Sequence, residues 1–115
     1  MDGIILGTEL KLRVDIETPT DEMDKVGDIE IQFIGGNKKS VKSFTRKEEV
    51  CSPGLTAVEG EPLSFICALS TKDVGVGKII CRTTVNLEDG YFTDDNIRTE
   101  IVENDTGIIV VKGTI

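Results

Sequence analysis

A chain of 115 residues with a net charge of −8, no His and no Trp is sized for one domain with an aliphatic core. The surplus of acid removes the counterion-release term on which sequence-independent binding of DNA or RNA depends, so nucleic acid is not an expected partner. Without His there is no Ser–His or Cys–His pair for nucleophilic catalysis, and no segment approaches the roughly 20 apolar residues of a membrane span, so neither such an enzyme nor a membrane partner is expected.

The opening MDGIILGTEL has no basic stretch and no apolar run long enough for a signal peptide, which predicts a protein not exported by an encoded signal. Ile4, Ile5 and Leu6 leave residues 1–7 with two readings, a flexible docking arm or a further strand of the same domain. Over residues 8–17, Leu10, Leu12, Val14 and Ile16 alternate with Lys11, Arg13 and Asp15, a strand with one buried and one wet face that ends at Pro19. The polar run PTDEMDKVGD, residues 19–28, reads as a surface loop before a strand over 29–34, where Ile29, Ile31 and Phe33 are in phase. Gly35, Gly36 and Asn37 reverse the chain into a third strand over 40–46, in which Val41 and Phe44 fall out of phase and predict a bulge. Val50 and Cys51 close a short fourth strand, and residues 59–62 turn.

The strongest signal spans residues 63–87. Leu63, Phe65, Cys67 and Leu69 share one face, as do Ile79, Cys81, Thr83, Val85 and Leu87, which reads as two long strands around one tight connection. Between them Ser70 to Val74 offers a single capped helical turn that Gly75 and Gly77 break. Cys67 and Cys81 lie in the apolar phase and read as small buried hydrophobes, reduced, although a hairpin would let them face each other closely enough to bridge. Spacings of 16 and 14 from Cys51 through Cys67 to Cys81 fit no paired-CxxC zinc pattern. Strands over 97–103 and 107–112 complete an all-β, antiparallel sandwich of about seven to eight strands, a single domain over 1–115.

Few residues invite chemistry. Glu88, Asp89, Asp94, Asp95, Glu103 and Asp105 are the raw material for a calcium site, but their spacing fits no EF-hand and a solvated acidic loop over 88–96 is the plainer reading, as for Asp21, Glu22 and Asp24. Asn104-Asp105-Thr106 matches the N-glycosylation pattern yet reads better, with Gly107, as a turn whose Asx side chains bond local amides. Gly75-Val76-Gly77-Lys78 resembles part of a phosphate loop, but a strand follows it where phosphate binding needs a helix. Glu61, Ser64 and Asp73 lack the His of a triad. No catalytic, cofactor-binding or metal-ligating residue is therefore expected, and no cofactor.

The run from Leu63 to Arg82, with its order of strand, helical turn, Gly-x-Gly and strand, resembles small Ig-like domains of tailed-phage particles. Thr8-Glu9-Leu10-Lys11-Leu12, Asp28-Ile29-Glu30-Ile31-Gln32-Phe33, Arg98-Thr99-Glu100 and Asp105-Thr106-Gly107-Ile108 fit the same layout. It is similar to the N-terminal domain of siphophage upper baseplate proteins, and more closely to short proteins encoded among structural genes of phages and prophages of gut Bacteroidetes. That resemblance implies an Ig-like sandwich and a non-enzymatic virion component, made in the host bacterial cytoplasm. Such a part docks on the capsid (as a decoration or at a head fibre), the tail or baseplate, or a fibre, with other virion proteins as partners and several copies or a homo-oligomer in the assembly. Docking would use an exposed sheet edge or residues 1–7. The alternative is a cell-surface Ig-like module of a bacterium that binds glycan or protein, for which only Tyr91 and Phe92 offer sugar-stacking rings in a loop.

Overall fold

The structure, a computed structural model, describes residues 3–17, 24–46, 48–61, 63–92 and 96–113. These form nine strands: β1 (Ile4–Ile5), β2 (Glu9–Asp15), β3 (Val26–Ile34), β4 (Lys39–Thr45), β5 (Val50–Cys51), β6 (Leu55–Ala57), β7 (Ser64–Ser70), β8 (Gly77–Glu88) and β9 (Ile97–Val111). A six-stranded sheet in the order β1-β9-β8-β3-β4-β5 packs on a three-stranded sheet, β2-β7-β6. The expected all-β sandwich is the architecture found, antiparallel throughout except that β1 runs parallel to β9. Ile4 and Ile5 thus lie in the sheet, paired with Val110 and Val111, and Leu6 N–H donates to the Val111 carbonyl at 2.9 Å.

The alternating residues meet as their period requires. Ile29, Ile31 and Phe33 from β3 and Ile79, Val85 and Leu87 from β8 are buried against Phe65, Cys67 and Leu69 from β7. Burying each such side chain stabilises by about 1.5–3 kcal/mol. Phe44 and Phe65 join the two sheets with ring centroids 5.1 Å apart and a 55° tilt, a favoured aromatic geometry.

Four sequence expectations are corrected. β7 and β8 do not pair as a hairpin: β7 lies between β2 and β6, and β8 between β3 and β9. Their apolar faces are buried against each other across the sandwich, which satisfies the same alternation. The predicted loop over 19–28 yields earlier, because β3 starts at Val26 and absorbs Gly27 and Asp28 in a register shift against β8, while its residues 19–23 lie outside those described. β4 has no bulge; it pairs with β3 in unbroken register from Asp28↔Thr45 to Ile34↔Lys39. The phase conflict is resolved by turning Val41 outward and Lys42 inward, where the lysine is 8% exposed and its long stem covers apolar surface. Finally, the two predicted strands after residue 96 are one. Residues 105–109 oppose only Lys78 to Ile80, so the Asn-Asp-Thr-Gly turn is a bulge inside β9, with Gly107 at φ +78°. An expected local Asx bond is present, from Gly107 N–H to Asp105 Oδ1 at 2.8 Å; across the ladder, Thr106 Oγ1 also donates to the Ile79 carbonyl at 2.7 Å.

The connection between the sheets is a short 3₁₀ turn, Thr71–Asp73, whose N-cap Ser70 accepts from Lys72 N–H at 3.4 Å, as its sequence predicts. Thr71 is fully buried; its hydroxyl donates to the Thr8 carbonyl at 2.9 Å and accepts from Gly7 N–H at 2.8 Å, tying the N-terminal segment to the turn. Thr71→Val keeps the shape and removes both bonds. It is expected to cost about 1–3 kcal/mol, the penalty for polar groups left without partners, measured by urea unfolding.

Candidate assembly surface

The feature that stands out above this core is the long edge of β9. Among the described residues β1 covers only Val110 and Val111, and residues 97–108 bond β8 on one side with no strand paired to their other backbone edge. Ordinary edge strands are short or blunted by charge. Here Ile101, 61% exposed, projects beside Thr84 on the outer face, and Val102, 52% exposed, projects from the opposite face beside Thr83. The acids along the edge are answered within the chain: Glu103 pairs with Arg82, Asp105 lies 3.9 Å from Lys78, and Glu100 lies 3.3 Å from Arg98. What remains open at the edge is main chain and aliphatic surface, the components of strand addition.

At the tip of the β8–β9 hairpin Arg98 donates to Asp89 Oδ2 at 2.6 Å, and Tyr91 N–H donates to Asp89 Oδ1 at 3.0 Å. This bonding occupies Asp89, one of the suspected calcium ligands. Asp94 and Asp95, with Asp21 and Glu22, lie outside the described residues. Among the described residues no three acids, cysteines or histidines gather closely enough to hold a metal ion. No helix among them is long and apolar enough to cross a membrane.

The other suspected residues are not brought together. Ser64 starts β7 and Asp73 ends the turn after it, about 23 Å away along a seven-residue strand, so Glu61, Ser64 and Asp73 form no constellation. Gly75 to Lys78 leads into β8, a strand, as the sequence implied. Ser64 serves Asp15: its hydroxyl bond, followed by the bond from Arg13, holds that carboxyl below the usual range. A depressed carboxylate contributes stability that is present above the unfolded value near 4 and lost as pH falls through the folded value. Ser64→Ala is therefore expected to move the Asp15 titration upward, read by the pH dependence of its side-chain NMR signal.

All three cysteines are free thiols. Cys67 and Cys81 face inward from opposite sheets, and burial pushes both thiols up, Cys67 to about 11, with nearby Cys81 adding to that shift and Lys42 opposing it. A thiol raised in this way adds stability below its unfolded value, about 8.5, that is lost as pH rises through the folded one. Thiolate is the reactive form, so an exchange reagent at pH 8 is expected to modify half-buried Cys51 promptly and Cys67 and Cys81 only after unfolding. Thiol counts before and after adding denaturant check this.

No family model matches the sequence, and no curated protein matches it.

The free edge escaped sequence reading for a physical reason. Residues 97–104, Ile-Arg-Thr-Glu-Ile-Val-Glu-Asn, show no period of two because neither face of that half-strand is buried. The broken alternation is itself the signal: a segment extended enough to pair yet patterned for no core is a strand at an edge.

Proposed function

We propose that this protein is a non-enzymatic assembly module that docks by strand pairing and, on the resemblance described above, a structural component of a tailed-phage virion. The observation that carries the docking reading is the free edge of β9, long, extended and aliphatic where its charges are internally paired. A capsid, tail, baseplate or fibre part needs surface complementarity more than reactive groups. The test is light scattering of the purified protein, followed by co-sedimentation with purified phage heads and tails. A discrete oligomer, or saturable binding to one of the particles, supports the reading; a monomer that ignores both overturns it.

One observation favours the cell-surface alternative. Tyr91, 96% exposed, stands over an open hollow of about 970 Å³ at the hairpin tip, bordered by Lys25, Asp89, Asn96 and Arg98, and an exposed ring beside hydrogen-bonding groups is how proteins stack sugars. Glycan-array binding that Tyr91→Ala abolishes would establish that reading in place of the virion.

A further inference from the structure

The two sheets leave one side of the sandwich open. Among the described residues β2 ends the three-stranded sheet and bonds only β7, while β9 has the free edge described above. These two unpaired edges border the same groove. One hollow of about 300 Å³ lies between Leu12, Val14, Thr106 and Ile108, and a second of about 390 Å³ lies between Val14, Ile16, Glu100 and Val102. They share Val14, Asp15, Cys81 and Asn104, and so form one seam in which β2 ascends as β9 descends. Over residues 12–17 it is about 20 Å long, the length of a six-residue strand.

Its lining has the periodicity of a missing strand. Phe33, Cys81 and Val85, all buried, make the floor. Leu12 and Val14 of β2 and Ile16 just beyond it form one wall and are each only half-buried, although with Leu10 they make the apolar face of this segment. The rim carries Asp15, Glu17 and Glu100; Arg13 lies 3.0 Å from Asp15 and Arg98 3.3 Å from Glu100, so three acids face two arginines and the rim keeps an acidic surplus.

We infer that this seam accepts an extended segment of a partner protein in which aliphatic residues alternate with Lys or Arg. The aliphatic side chains enter between β2 and β9 and cover the half-buried Leu12, Val14 and Ile16, and the basic ones meet the acidic rim. A second copy of this chain is a poorer occupant, because each copy carries a net charge of −8. The inference rests on the assembly reading and names its site and the chemistry of its partner.

The probe is a synthetic peptide of about eight residues alternating Val and Lys, titrated into ¹⁵N-labelled protein. Amide shifts are expected along residues 12–17 and 100–108, with affinity falling as salt is added. A matched peptide of Val and Glu is expected to bind at least ~tenfold more weakly. Val102→Arg, at a half-exposed position, is expected to remove binding of the basic peptide without lowering the melting temperature. Independently, the double variant Glu17→Lys, Glu100→Lys is expected to reverse the preference towards the acidic peptide. Equal binding of both peptides, shifts confined to other strands, or a dimer that Val102→Arg dissolves would each overturn the inference. No shift in a protein that still co-sediments with phage particles refutes the seam alone, whereas seam binding by a protein that ignores particles refutes the virion reading alone.

Discussion

Gly36→Ala is expected to destabilise the protein by about 2–3 kcal/mol, the upper range for forcing an atom into a packed site that cannot yield. The β3–β4 turn and the connection from β7 to β8 press against each other at one end of the sandwich. A methyl group on Gly36 would fall inside the Val76 carbonyl oxygen, and one on Gly35 would lie 2.6 Å from Val74 Cβ. From the other side Gly75, at φ +82°, has no room for a side chain against Asn37 Oδ1. Neither loop is free to retreat, since Gly35 N–H donates to the Lys38 carbonyl at 2.9 Å and Asn37 N–H donates to the Val74 carbonyl at 3.5 Å. Against a total stability of about 5–15 kcal/mol, such a loss is a large fraction. It should appear as a lower urea midpoint with an unchanged slope. Gly90 has no neighbour within 4 Å of its would-be methyl, so Gly90→Ala is the control, expected within about 0.5 kcal/mol of the parent. Equal effects at the two positions would mean that the two glycine loops are not locked together.

Sequence reading recovered what a period of two encodes. The inward faces of β2, β3, β7 and β8 were all visible as alternation, because each strand has one face on the core. Alternation says which face is buried and not against what. Leu63 to Leu87 therefore fits a hairpin and a cross-sandwich pair equally well, and six residues with a 3₁₀ turn can make either link. Lys42 was obscured for the opposite reason: its burial follows from the register of β4 on Ile31, a partner eleven residues away, and not from its own neighbours in sequence. The bulge at Gly107 looked like a strand end because Asn, Asp and Gly favour turns and bulges alike. Of the proposed site, the apolar face of β2 was legible and the seam was not. Its walls are separated by more than eighty residues, and only the assembled sheets show that Val14 and Ile16 stay half-buried beside a hollow.

Phe33→Ala is expected to have the largest effect of any single change considered, about 3–5 kcal/mol, because it removes a fully buried ring and leaves a cavity at the centre of both sheets' contact. Phe33 sits on β3 between Ser40 of β4 and Cys81 of β8, with its ring beneath the seam. That position separates what the fold needs from what the docking reading needs. If the seam is a built groove on a finished core, Phe33→Ala lowers the melting temperature steeply, while Val102→Arg on the rim leaves it unchanged and acts only on peptide binding. If the seam is instead a loosely closed part of the core, β2 can fall inward to fill the space, and a site that collapses well lowers the cost of the cavity. Thermal and urea unfolding of Phe33→Ala, Val102→Arg and the parent decide between these. A loss below about 1 kcal/mol for Phe33→Ala would show that the floor is not rigid, and an adaptable floor has no fixed strand-shaped vacancy to offer a partner.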